Sequence, residues 1–298
     1  MNFCELSIED KKLFDSYLKS YKPQASELTF SNLYMWRNYY KLRYSEINGF
    51  LCILSVPDNG VPFSFMPMAH TEKADLKVVI EKLGEYFINN GWQLCFKRLT
   101  EAEVSIIKEY SSSKIEILPD HDNSDYLYLS ENLIKLSGKK YDGKRNHINR
   151  FKKEHEFEYV PITEELIGEC RRITSDWCKE RDCEEHRKYY CEKIANFEML
   201  DNFSALGCKG ALLKVDGAYK AFTIGEMLND DTAVIHIEKA DSTINGLYPL
   251  INQQFCEHEW ANASFINREQ DLGVEGLRKA KLSYNPVKLI EKYSLLVT

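Results

Sequence analysis

The residues best suited to chemistry lie in three stretches. The first, residues 139–153, reads KKYDGKRNHINRFKK and carries seven Lys or Arg against one Asp, a net of +6. The whole chain has a formal charge of −7, so the remainder carries −13. Cations gathered on one helix suit phosphates, which Lys meets as a point charge and Arg as a fork. Nucleic-acid backbones and anionic lipid head groups are the partners of that chemistry, and Lys144, Arg145 and Arg150 are the candidate phosphate-binding residues. A solvated helix face balanced by an acidic body would show the same charges.

The second stretch follows a short apolar strand, residues 264–267. Five polar residues in a row, Asn267-Arg268-Glu269-Gln270-Asp271, lead into a helix over 274–282 that ends at Tyr284-Asn285-Pro286. Ligands of α/β sheets gather at the carboxyl ends of strands, where such loops lie. Glu269 is a candidate base or amine anchor, and Asn267 is placed to position an acceptor. Arg278 and Lys281, three apart on one helical face, are candidates for an anion, with Tyr284 beside them. The helix macrodipole alone accounts for acids at its start and bases at its end. The third stretch is the strand over 232–239. Its period of two puts Val234, His236 and Glu238 on one face and Ile235 and Ile237 on the other. Glu238, at the strand end, is the stronger candidate for a general base or an amine anchor.

Several chemistries lack their residues. Cys170, Cys178, Cys183 and Cys191, with His186, do not have the spacing of a compact zinc site. No phosphate-binding P-loop, HExxH or GxSxG occurs, so redox and hydrolase readings have no support. The nine cysteines are scattered singly, a usage that fits a reducing compartment. The N-terminus carries acids and no apolar h-region, and the longest apolar run, residues 50–56, is too short to span a bilayer. These features predict a cytoplasmic protein.

The elements that must position these residues come in two similar sets. Helices are predicted over 7–19 and 31–39, then three strands over 40–44, 50–56 and 62–67, with Asn48-Gly49 and Asp58-Asn59-Gly60 as turns. A helix over 73–89, a strand over 92–97, a helix over 101–110 and strands over 114–118 and 125–129 follow. After the basic helix, 144–154, come helices over 163–181 and 184–200. Strands over 211–215, 218–228 and 232–238, a helix over 246–260, the strand and helix of the second stretch, and a last strand over 287–296 complete the chain. Each half thus reads helices, antiparallel meander, helix, strand, helix, strand. A duplicated α/β unit explains the order, with domains at 1–135 and 136–298 and the candidate site in the second.

Residues 27–36 (ELTFSNLYMW), the basic helix over 141–153 and residues 267–286, in that order, resemble a bacterial family of uncharacterised proteins related to the C-terminal domain of phosphatidylglycerol lysyltransferases. The resemblance implies an α/β (α+β) fold of two tandem GNAT-like domains, each a mixed, mainly antiparallel sheet flanked by helices, as in Fem-type aminoacyltransferases. It also implies an acyl- or aminoacyltransferase that takes its group from aminoacyl-tRNA and gives it to an amine or hydroxyl acceptor, possibly a lipid. Residues 276–284 (GLRKAKLSY) are similar to a Fem-type pattern, with Ala280 where those enzymes carry Phe. Two other functions stay open. One is an acetyl-CoA-dependent GNAT N-acetyltransferase, although the loop over 239–248 that would cradle the pyrophosphate has one Gly. The other is a non-catalytic tRNA- or lipid-binding module.

Overall fold

The structure is a computed structural model that describes residues 1–58, 60–70, 75–110, 114–181 and 187–297, with the backbone alone for 187–191. The expected turn residue Asn59, the first residues of the helix predicted from 73, and Cys183, Glu184 and His186 lie outside the described residues, as does the side chain of Cys191. The chain forms two compact units. The first holds Met1–Asp125, Gln270–Val274 and Leu289–Thr298; the second holds Tyr126–Glu269 and Glu275–Lys288.

In the first unit β1 (Cys4–Glu5) precedes helices α1 (Lys11–Tyr21) and α2 (Phe30–Tyr40). The Thr29 side chain caps α2 by accepting from the Asn32 N–H at 3.1 Å. The meander β2 (Leu42–Ile47), β3 (Phe50–Ser55), β4 (Phe63–Ser64) and β5 (Met68–Ala69) follows. Asn48 and Gly49 have φ of 51° and 81°, the two left-handed residues that a tight hairpin between β2 and β3 requires. Then come α3 (Leu76–Asn89), β6 (Cys95–Leu99), α4 (Glu101–Tyr110) and β7 (Ile115–Pro119). The apolar stripe of α3 (Val79, Leu83, Phe87) and Ile107 of α4 pack on Cys52, Leu54 and Phe96 of the sheet.

The second unit begins in β8 (Asp125–Leu129). It continues through α5 (Ser130–Lys135), the basic helix α6 (Asp142–Glu154), β9 (Phe157–Pro161), α7 (Ile167–Lys179), α8 (Arg187–Asp201) and α9 (Phe203–Leu206). A second meander is formed by β10 (Lys209–Val215), β11 (Ala218–Met227) and β12 (Thr232–Ala240). Asp216 and Gly217, with φ of 48° and 87°, repeat the tight-hairpin device between β10 and β11. Helix α10 (Leu247–Glu259), β13 (Phe265–Asn267) and α11 (Glu275–Leu282) complete the unit, and β14 (Lys288–Ile290) carries the chain back to the first. Ile148 and Phe151 of α6 and Leu250, Ile251 and Phe255 of α10 share a core with Leu213, Ala221, Ala233, Ile235 and Ala240.

The last strand of the chain is β15 (Tyr293–Val297). Among the described residues the strands form two sheets, ordered β1-β2-β3-β4-β6-β15-β7, with β5 beside β3, and β14-β8-β13-β12-β11-β10-β9. In the first, β4 and β6 run parallel; in the second, β12 and β13 do. The predicted strand over 287–296 is therefore two strands. The break falls at Glu291-Lys292, where the Lys292 side chain is fully buried, and β15 pairs with β6 and β7 of the first unit. That long-range pairing makes the units discontinuous in sequence, unlike a division at 135/136. Neither β9 nor α5 is anticipated by the sequence pattern. No helix among the described residues is long and apolar enough to cross a membrane.

Candidate functional site

The site is built on β12 and its neighbours β11 and β13. Ile224 pairs with Ile237 and Gly225 with Ile235, which leaves His236 as the extra residue of a β-bulge. The bulge resets the alternation of faces. Thr223 pairs with Glu238, and Ala221 with Ala240, on the face that packs against α10 along with Ala233 and Ile235. The expected face shared by Val234, His236 and Glu238 is thus split: Glu238 is in phase with Ile235, and His236 is not. A period of two holds only while the ladder is continuous.

On the α10 face, Glu238 is held from two sides. Arg268 Nη2 donates to Oε1 at 2.9 Å, and Asn252 Nδ2 of α10 donates to Oε2 at 3.0 Å. The Glu238 and Arg268 side chains are 13% and 12% exposed, so the pair opens narrowly to solvent. The Arg268 guanidinium lies 4.6 Å from the Tyr284 ring centroid, and Lys144 Nζ of α6 lies 4.1 Å from the same ring. Lys281 donates to the Arg268 carbonyl, Tyr128 O–H to the Lys281 carbonyl at 2.8 Å, and Tyr141 O–H to the Tyr284 carbonyl at 3.0 Å. These bonds fix the backbone that carries Arg268 and Tyr284.

The electrostatics follow from burial. Desolvation pulls the Arg268 pKa down, but the Glu238 carboxylate outweighs it and holds the guanidinium charged. Burial raises the Tyr284 and Tyr128 phenols, so both stay protonated. Lys144 is lowered, first by burial and then by the Arg268 charge, with Glu238 opposing. A lysine so lowered gives up its proton more readily than a surface lysine. Among the described residues Lys144 makes a cation–π contact and no ion pair. The arrangement presents a carboxylate, a fixed guanidinium and an ammonium to one small region.

On the other face, His236 Nδ1 lies 2.8 Å from Glu269 Oε1 and Nε2 lies 2.9 Å from Glu226 Oε1. The imidazole is 1% exposed. Desolvation alone would favour the neutral ring, but the two carboxylates win and raise its pKa to about 9. Glu269 is thus engaged with His236, and its own N–H donates to Asn267 Oδ1 at 2.8 Å. Asn267 is fully buried and shapes the turn after β13.

The other expected residues are dispersed. Arg145 is turned back on its own loop, donating to the Leu136 and Gly138 carbonyls and pairing with Asp142. Arg150 pairs with Glu154 at 2.8 Å and is well exposed. Arg278 is half-buried on α11. Of the residues singled out from the sequence, the structure brings Glu238, Tyr284 and Lys144 together, and it adds Arg268, Asn252, Thr223 and Glu226, to which the sequence pattern assigns no role. Arg268 had a signal, as the one cation in a run of five polar residues after a buried strand.

The loop before α10 differs from a pyrophosphate cradle. Asp241 accepts from the Thr243 N–H at 3.1 Å and O–H at 2.5 Å and pairs with Lys220 at 3.1 Å. Burial opposes its ionisation, and these bonds outweigh burial and lower the pKa. The Asp241 carboxylate thus takes up the Thr243 N–H of this loop and sets a negative charge there. Gly246, at φ 89°, is where α10 meets α6: a Cβ there would stand 2.5 Å from the His147 carbonyl oxygen. Among the described residues six cysteines are free thiols, but Cys178 is disulfide-bonded, so unpaired usage does not hold throughout. No group of three or more His, Cys, Asp or Glu among the described residues could hold a metal ion.

Comparison with known proteins agrees with this architecture. A conserved protein of unknown function from Bacteroides thetaiotaomicron is 35% identical, with each chain covered in full and a TM-score of 0.94. L-PGS from Bacillus licheniformis is 16% identical over 99% of this chain and 93% of that one, with a TM-score of 0.67. A tandem GNAT protein from the clavulanic acid biosynthesis pathway shares the fold at 9% identity and a TM-score of 0.51, over 100% and 98% of the two chains. The two units are thus tandem GNAT-like domains, each with a mixed, mainly antiparallel sheet. An uncharacterised protein of Mycoplasmoides gallisepticum is 28% identical over 197 residues, 63% of this chain and 61% of that protein, so the match spans about three fifths of that curated relative. Residues 18–296 match the family described as phosphatidylglycerol lysyltransferase, C-terminal, and the chain belongs to that family.

Proposed function

We propose that the protein is an aminoacyltransferase that takes an aminoacyl group from aminoacyl-tRNA in the cytoplasm and gives it to an amine or hydroxyl, with an anionic lipid head group among the candidate acceptors. Its kinship with lysylphosphatidylglycerol synthetase and Fem-type domains supports the reaction class. The observation that carries the reading is Lys144. One cation of the basic helix reaches the Glu238–Arg268–Tyr284 cluster, so phosphate-directed charge and groups fit for acyl transfer meet on one face of the second unit.

In such a reaction the acceptor nitrogen or oxygen bonds to the ester carbon. The carbon–oxygen bond to the tRNA ribose breaks, and the acceptor proton ends on the ribose oxygen. A guanidinium held charged can stabilise the oxyanion between these events. A lysine with a lowered pKa can carry the proton. Arg150 and Arg278 are assigned to the anionic parts of donor and acceptor in this reading, Arg145 and Lys281 to holding the backbone around the site, and Glu269, Asn267 and Tyr284 to shaping it. Asp241 in the loop before α10 counts against acetyl-CoA.

The test is transfer of radiolabelled amino acids from a charged tRNA pool to lipid and amine acceptors. Labelled product is expected, and Lys144→Ala should lower its rate. Micromolar acetyl-CoA binding by calorimetry without aminoacyl transfer would overturn the reading in favour of an N-acetyltransferase. Tight, salt-dependent tRNA binding with no product would leave a binding module.

A further inference from the structure

Three buried polar atoms beside Glu238 have no hydrogen-bond partner: Arg268 Nη1, Asn252 Oδ1 and Thr223 Oγ1. They belong to the two side chains that donate to Glu238 and to its partner across the β11–β12 ladder. Paired positions on adjacent strands put Cβ atoms about 5 Å apart on one face. Asn252 and Thr223 are fully buried. Buried polar atoms are nearly always bonded, so three unbonded atoms around one carboxylate call for a partner from outside the chain. Isosteric apolar residues would fit the same space without that cost.

Their chemistry is complementary to one kind of group. An amide oxygen and a hydroxyl accept, and a carboxylate accepts with charge. A primary ammonium supplies three donors and one positive charge. The guanidinium nitrogen on the same carboxylate donates, and suits a carbonyl oxygen close to that ammonium. An α-aminoacyl ester carries an ammonium and a carbonyl on adjacent carbons.

Resting on the aminoacyl-transfer reading above, we propose that Glu238, Asn252 and Thr223 form the subsite for the free α-ammonium of the transferred aminoacyl group, with Arg268 Nη1 directed at its ester carbonyl. The subsite selects donors with an unblocked amine. Thr223 and Asn252 set that selectivity without taking part in bond making. Glu238 is accordingly the amine anchor, and proton transfer falls to another group.

The experiment compares aminoacyl-tRNA with its N-acetylated form as donor, and amino-acid amides with N-acetylated amides as ligands by calorimetry. Donors and amides with a free amine should react and bind at least tenfold better than blocked ones. Thr223→Val should weaken amide binding about tenfold, the worth of one bond to a charged group. Thr223→Ser, which keeps the hydroxyl, should restore it. Thr223→Val should not lower the melting temperature, because the hydroxyl it removes has no partner in the protein; a merely structural hydroxyl would show the reverse. Equal use of blocked and free donors overturns the subsite and leaves the transferase reading standing. No transfer from either donor, with amide binding that Thr223→Val abolishes, overturns the transferase reading and supports the subsite. Amide binding unchanged in Thr223→Val and Asn252→Leu overturns the subsite whatever the transfer assay gives.

Discussion

Each unit contains a buried cluster of Arg, Lys and carboxylates, and the two are finished differently. In the first unit Lys292 donates to Glu27 at 2.5 Å and to Asp125 at 2.7 Å, and Asp125 also accepts from the Ser26 N–H and O–H at 2.8 and 2.9 Å. Arg98 pairs with Asp120 at 2.6 Å and reaches Glu27 at 3.2 Å. Burial would neutralise Lys292, but the carboxylates of Asp125 and Glu27 raise its pKa. The network ties the segment before α2 to the ends of β6 and β7, the start of β8 and the residue before β15. In the second unit Glu238 and Arg268 satisfy each other, yet orphaned atoms stand on either side. The first network keeps one unbonded oxygen, Glu27 Oε1, which still lies 3.2 Å from the Arg98 guanidinium. Around Glu238 three atoms on three side chains are unbonded, and in a low-dielectric surrounding, where each is costly, that points to a group from outside.

The largest expected effect tests that contrast. Lys292→Met leaves Asp125 buried without its cation and Glu27 with Arg98 alone, and should cost about 3–5 kcal/mol of stability, as removal of one buried partner does. Arg268→Met leaves Glu238 with Asn252 and some solvent, so the loss should be nearer 1–3 kcal/mol. Its effect on transfer should be about a hundredfold or more, the scale of a lost oxyanion donor. Thermal unfolding and single-turnover transfer measure both. If Arg268→Met unfolds the protein as readily as Lys292→Met and spares transfer in the folded fraction, the two clusters do the same job.

A second, smaller effect lies on the other face of the second sheet, where His236 is closed between Glu226 and Glu269. Its pKa is raised to about 9 from an ordinary 6.5. The bound proton therefore stabilises the fold fully below the ordinary value and progressively less as pH rises to about 9. Integrated, that is on the order of 3 kcal/mol. Melting temperature should fall along this alkaline limb, and His236→Gln should flatten it while lowering stability at pH 6. A wild-type profile flat between pH 6 and 9 would show that the imidazole is not held protonated.

The fold was readable where local chemistry decides it. Asn48-Gly49 and Asp216-Gly217 marked hairpins because few other residues accept two left-handed positions, and α4 and β8 were bounded as predicted. The site was readable only in part. Glu238 was singled out, but the bulge at His236 is set by pairing across β11 and leaves no mark in the strand's own sequence. Thr223 and Asn252 look like ordinary strand and helix residues until the register places one opposite Glu238 and the helix packing places the other above it. Lys292 reads as a polar interruption of a strand, because the carboxylates that bury it come from residues 27 and 125. Arg268 lies in a polar run legible in the sequence, but the carboxylate that holds it, Glu238, stands 30 residues away, and nothing local marks the pair.

The smallest stability effect separates binding charge from folding charge on α6. Arg150 pairs with Glu154 one turn away, both well exposed. Such a pair contributes about 0.3–0.5 kcal/mol, so Arg150→Gln should hardly move the unfolding transition. If the helix meets a phosphate backbone, the same change should weaken tRNA binding for every sequence and lower the dependence of log affinity on log salt by about one. Arg145 is the internal contrast. Its guanidinium is committed to the Leu136 and Gly138 carbonyls and Asp142, so Arg145→Gln should loosen the loop before α6 more than it changes the salt slope. Lys144, with its cation–π contact, should change both transfer rate and slope. A slope unaltered by Arg150→Gln would return the exposed part of the helix to plain solvation and confine donor recognition to the Glu238–Arg268 cluster.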